Sequence, residues 1–177
     1  MSYASVTFSQ TNDYKCCIKN IRNVNPATIE FDIFIESSGK NKQKLTAMQG
    51  GINFNYEAIA DGGTITGTFK QGSADPLLPR TQQSPRWNIN PQSKQIRLLA
   101  AIAHDSIAVV IQSTPGMRIG TFVMTNTVPF KKEVIPDFTW LFKTGSGSTS
   151  KTQLTTYVNG ATITKDITVP ENHCVKK

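Results

Sequence analysis

Pro115–Phe130, PGMRIGTFVMTNTVPF, decides the fold. Met117–Thr125 is dense in β-branched and aromatic residues, with a Pro-Gly turn before it and Asn126…Pro129 after it, the punctuation of a strand. Its apolar side chains fall on both parities, Ile119 and Val123 on one and Phe122 and Met124 on the other. A strand wet on one face alternates more cleanly. The stretch therefore reads as an inner strand buried on both faces, or as one broken by a bulge at Gly120.

The segments around it supply strands for it to pair with. Val6–Phe8 and Cys17–Val24 read as first strands, and Asn25-Pro26 ends the second. Thr28–Glu36, TIEFDIFIE, puts Ile29, Phe31, Ile33 and Ile35 on one face and Glu30, Asp32 and Glu36 on the other with Phe34. This alternation predicts a strand with a buried face and a solvated acidic face. Leu45–Tyr56 aligns Met48, Ile52, Phe54 and Tyr56, with Gly50-Gly51 marking a bulge or a close backbone approach. Ala58–Asp61 reads as a short excursion of about one helical turn, and Thr64–Lys70 returns with Ile65 and Phe69 inward. Gln95–Ile102 and Ile107–Gln112 read as a hairpin across Ala103–Ser106, with Ile96, Leu98, Ala100 and Ile102 on one side. Phe138–Phe142 alternates again, Gly145–Ser150 is a flexible loop, and Leu154–Val158 with Ala161–Val169 forms a hairpin through Asn159-Gly160. About ten short strands with no convincing helix predict a single all-β domain over residues 1–177, an antiparallel β-sandwich of jelly-roll-like type. Residues 1–13 would be a first strand or a tail.

Gln71–Pro91 interrupts the pattern with Pro76, Pro79, Pro85 and Pro91. A connection this long is usually functional or mobile. It carries Arg80, Arg86 and Trp87, the candidate binding residues. An exposed Arg-Trp pair can stack on a sugar or anchor a protein partner; alternatively, Trp87 caps the sandwich core.

Composition narrows function. Charged residues are 18% of 177, net charge is +7, and the Lys and Arg are scattered, with short groups at Lys40/Lys42/Lys44, Lys131/Lys132 and Lys176/Lys177. Without an aromatic platform among them, nucleic acid is not the expected partner. No apolar run of about eighteen residues exists, so no membrane insertion is expected. The three cysteines are Cys16, Cys17 and Cys174. Terminal strands are often neighbours in a sandwich, so one of the vicinal pair could bond Cys174, and alternation sends Cys16 and Cys17 to opposite faces. The other reading is three half-buried thiols. Catalysis is not expected. The two histidines are His104, in a turn beside Asp105, and His173, in the C-terminal tail beside Cys174. There is no G-x-S-x-G elbow, no phosphate-cradling glycine loop, and neither metal nor cofactor is expected.

The runs AMQGGINFNYEAIADGGTITGTF (Ala47–Phe69), RIGTFVMTNTVPF (Arg118–Phe130) and FTWLF (Phe138–Phe142), with TIEFDIFIES (Thr28–Ser37), resemble a cohesin-like domain of secreted and surface proteins of Bacteroidetes-type bacteria, substrates of type IX secretion. The resemblance covers roughly Thr28–Val169. It implies export to an oxidising extracellular setting, and a module that binds a protein partner or assembles at the cell surface without catalysis. In cohesins proper, one sheet face docks a dockerin, a helical calcium-loop partner. No residue here matches a known docking contact, so none is assigned by resemblance. The alternative is a carbohydrate-binding module recognising polysaccharide through Trp87, Arg86 and one of Tyr56 or Tyr157.

Overall fold

The alternating stretch Thr28–Ser37 forms strand β2, and its neighbours follow from pairing with it. A computed structural model describes residues 14–38, 42–90, 92–131, 136–141, 152–158, 161–166 and 174–175. Val6–Phe8, Gly145–Ser150, His173 and the Asn159-Gly160 turn lie outside them. β2 pairs antiparallel with β1 (Tyr14–Asn25) on one edge and β8 (Met117–Asn126) on the other. β4 (Ile65–Phe69) extends the sheet beyond β8, and β12 (Cys174–Val175) joins β1 in parallel, giving the order β12-β1-β2-β8-β4.

The second sheet is built on β3 (Lys44–Asn53), in the order β11-β10-β3-β6-β5, with β7 and β9 also paired to β3. Here β5 is Arg86–Ile89, β6 Ile96–Ala100, β7 Val109–Val110, β9 Thr139–Trp140, β10 Gln153–Val158 and β11 Ala161–Asp166. β10 and β11 form the expected hairpin, Val158 opposite Ala161. A five-residue helix, α1 (Tyr56–Ala60), links β3 to β4. The two sheets enclose a core that includes Ile29, Phe31, Ile33 and Ile35 from β2 and Leu45, Met48 and Ile52 from β3. The architecture is an all-β sandwich, antiparallel except at β1/β12.

Of the two readings of β8, the bulge explains its mixed parity. Ile33 lies opposite Gly120 while Phe34 lies opposite Arg118, so β8 carries one extra residue, Ile119. Met117 and Ile119 are buried before the shift, and Phe122 and Met124 after it. One inserted residue flips the pleat, so both parities reach the core.

Three expectations are corrected. First, the acidic face of β2 is not solvated: Glu30, Asp32 and Glu36 are 7%, 3% and 7% exposed. As an inner strand, β2 has both flanks lined by longer side chains. Arg22 and Lys70 pair with Glu30, Lys19 pairs with Glu36, and Asp32 accepts from Asn20 Nδ2 at 2.8 Å and Thr121 Oγ1 at 2.6 Å. A buried carboxylate is costly without its partner. Lys19→Met is therefore expected to lower the unfolding free energy by about 2 kcal/mol, read as a shift in the urea midpoint at unchanged slope.

Second, Gln95–Gln112 is not a hairpin. β6 and β7 both pair with the same edge of β3, Met48 opposite Ala100 and Leu45 opposite Val109. They are one strand interrupted by residues 101–108, held to β3 by the Ala103 N–H donating to the Thr46 carbonyl at 2.7 Å. Ile102, expected inward with Leu98 and Ala100, is 74% exposed because the strand ends before it. β9 and β10 divide the other edge of β3 in the same way.

Third, Gln71–Pro91 is an ordered crossover rather than a free loop, described here as far as Asn90. Ser73 Oγ accepts the Thr121 N–H at 2.8 Å and the Asp75 N–H donates to the Arg118 carbonyl at 2.8 Å, so the segment runs on along β8. It then turns through a 3-10 helix, Arg80–Gln82, and enters β5. Gln82, 1% exposed, donates from Nε2 to the Thr46 carbonyl at 2.9 Å, beside the Ala103 bond in the gap between β6 and β7.

Cys17 and Cys174 are joined by a disulfide across the paired β1 and β12. Cys17 lies opposite Phe34, on the outer face, while Cys16 belongs to the core. Burial pushes the Cys16 thiol pKa up, which keeps it protonated and unreactive.

A candidate docking face on the seven-stranded sheet

Pairing fixes which side chains share the outer face of the β3 sheet. Gln49 lies opposite Leu99 and Gly51 opposite Arg97. On the next strand Arg86 lies opposite Leu99 and Asn88 opposite Arg97. Side chains of directly opposed residues project to the same side. Leu98, between Arg97 and Leu99, points the other way and is 3% exposed.

Two depressions lie side by side on this surface. One, about 220 Å³, is lined by Ala47, Met48, Gln49, Leu99, Ala101 and Ile102 among others. Leu99 is 51% exposed, and the 101–108 excursion also presents Ile107, 50% exposed. The excursion is fixed: the Ile107 and Ala108 N–H groups donate to the His104 carbonyl, and Lys44 Nζ donates to the Asp105 carbonyl and carboxylate at 3.1 and 3.0 Å. The apolar groups are thus held in place before any contact, which lowers the ordering cost of binding.

The second depression is an open groove of about 800 Å³ that shares Gln49 and Leu99 with the first and runs toward the edge where β4 approaches β5. Arg86, Trp87, Asn88, Arg97 and Phe69 line it. Among the residues singled out from sequence, the structure brings Arg86 and Trp87 together here and leaves Arg80 out, exposed at the start of the 3-10 helix.

Trp87 is half-buried between the sheets. Its ring meets Phe31 at 6.0 Å and Phe122 at 5.2 Å, both edge-on, and a Cβ built at Gly67 would lie 2.6 Å from it. Gly67→Ala is expected to displace the indole, red-shift its emission and cost about 1–3 kcal/mol; unchanged emission and stability would refute this packing role. Gly50 serves the other tryptophan, since a Cβ there would lie 3.3 Å from Trp140 Cζ3, the close approach expected for Gly50-Gly51. Tyr56 is buried, with Lys94 Nζ 4.4 Å from its ring centroid and its hydroxyl accepting the Ile65 N–H. Tyr157 is half-buried on β10. No group of three or more His, Cys, Asp or Glu side chains among the described residues is arranged to hold a metal ion.

Sequence reasoning missed Arg97, Leu99 and Ile102. Leu99 was detectable as a large apolar residue on the outward parity of β6, beside Arg97. Ile102 was not, since only the end of pairing at Ala100 turns it outward.

No family model and no curated protein matches the sequence. Solved structures do. The type II cohesin A11 of Bacteroides cellulosolvens superposes with a TM-score of 0.52 at 10% identity, covering 92% of this chain and 94% of that one. A type II cohesin domain from the cellulosome of Acetivibrio cellulolyticus gives 0.52 at 11% identity, covering 93% and 91%. The second type II cohesin module of the ScaA adaptor scaffoldin of that organism gives 0.50 at 7%, covering 93% of each chain. What this chain shares with them is the fold: it is a cohesin-like β-sandwich.

Proposed function

We propose that the chain is a single-domain, non-catalytic protein-interaction module that docks a partner on the outer face of the β3 sheet. The observation that carries this reading is the prearranged apolar group of Leu99, Ala101 and Ile102 beside a basic groove. An exposed apolar area rimmed by polar groups on a rigid sheet suits protein contact. The Cys17–Cys174 bond supports an exported, oxidising setting, which agrees with the resemblance to surface proteins of Bacteroidetes-type bacteria. Assembly with further copies at a cell surface would use the same apolar group. Glycan recognition is less favoured, because a sugar platform needs an exposed ring and Trp87 is packed against Phe31 and Phe122.

The test is binding of the immobilised chain to a panel of helical calcium-loop dockerin modules and to soluble copies of itself. A bound partner lost in the Leu99→Asp/Ile102→Asp variant, with its thermal midpoint kept, supports the proposal. Binding indifferent to that pair, or capture of glycans that depends on Trp87, overturns it.

A further inference from the structure

Arg86 and Arg97 are diagonal neighbours across β5 and β6, on the same outer face. Among the described residues, neither guanidinium has a carboxylate within ion-pair distance. The Arg97 Nε–H is also buried, and no atom of the described residues accepts from it. Buried donors without acceptors are rare in folded proteins and call for an explanation. The two guanidinium groups, diagonal neighbours on one outer face with no carboxylate beside them, match the needs of a single anionic acceptor.

We propose that the Arg86–Arg97 groove is a carboxylate subsite that receives an Asp or Glu side chain of the docked partner. This rests on the docking reading above. Guanidinium groups bind carboxylates through parallel pairs of N–H···O bonds, with a geometry that a lysine cannot reproduce. The occupant is a protein segment because the groove is continuous with the apolar depression through Leu99 and Gln49. A segment with an acidic residue next to a large apolar one fills both at once. The net charge of +7 favours its approach. The carboxylates of β2 lie on the outer face of the opposite sheet, already engaged by Lys19, Arg22 and Lys70, so they do not compete for the arginines.

The experiment is selection of a random displayed peptide library on the intact chain, with oligogalacturonate titrated in parallel as a uronate probe. Enriched peptides are expected to place Asp or Glu beside Leu, Ile, Val or Phe. Arg86→Gln and Arg97→Gln are each expected to weaken the best such peptide roughly tenfold. Changing its acid to the amide costs the same in the wild type and nothing in the double variant. Arg97→Lys keeps the charge without the fork and recovers little. Apolar peptides without acidic bias, lost in Leu99→Asp/Ile102→Asp, would overturn the carboxylate subsite and leave the docking face standing. Arginine-dependent capture of oligogalacturonate with no peptide enriched would overturn the protein occupant, and no binding to either probe would overturn both readings.

Discussion

Cys174→Ala, or reduction of the wild-type chain, is expected to lower the unfolding free energy by about 5 kcal/mol. The bonded residues are 157 positions apart, so the link closes nearly all of the chain between β1 and β12. By chain entropy a cross-link removes more freedom from the unfolded ensemble the longer the loop it closes. A domain of this size has about 5–15 kcal/mol of stability in all, so the loss removes a third or more of it. Cys174 is the residue to change because it is half-buried, whereas Cys17 is buried and its loss would confound the result with packing. Urea unfolding with and without reductant is the measurement. A shift under about 1 kcal/mol would mean that the unfolded chain already keeps its ends together. Cys16 supplies an internal control: its buried, protonated thiol should resist alkylation in the folded protein and react once urea unfolds it.

Phe31→Ala is expected to cost about 3–5 kcal/mol. Phe31 is fully buried at the meeting point of the two sheets. Its ring lies 5.7 Å from Phe122 in a stacked arrangement, 4.7 Å from Phe138 and 6.0 Å from Trp87. Removing it opens a cavity bordered by three aromatic rings from separate elements, which cannot all close in together. The tryptophan emission should change along with stability, because Trp87 loses one of its two edge-on neighbours. A loss below about 1.5 kcal/mol would mean that the site collapses on itself.

The sandwich was legible in the sequence because alternation is local. Thr28–Glu36 could be placed as a strand from its own residues, and Ile29, Phe31, Ile33 and Ile35 fill the core as their spacing requires. The errors arise where the deciding contact is distant. The carboxylates of β2 look solvated until Lys19, Arg22 and Lys70 are brought beside them. His104-Asp105 is a genuine turn, but its flanking strands lie end to end along β3 rather than against each other. The prolines of Gln71–Pro91 concealed β5, a four-residue edge strand bounded by Pro85. Of the candidate site, Arg86 and Trp87 were legible as an unusual adjacent pair. Arg97 joined them only through the diagonal register of β5 and β6.

The divided flanks of β3 bear on the order in which the chain can fold during synthesis. Lys44–Asn53 leaves the ribosome early, yet its neighbours on one side are Ile96–Ala100 and Val109–Val110, and on the other Thr139–Trp140 and Gln153–Val158. Four separate pieces must therefore be translated before this strand is enclosed. Until then its backbone groups are open to foreign strands. Pairing across such separations must overcome loop-closure entropy before it gains any contact, which makes folding slow. β3 thus stays unenclosed until roughly residue 158 has emerged, and only afterwards can Cys174 seal β12 against β1.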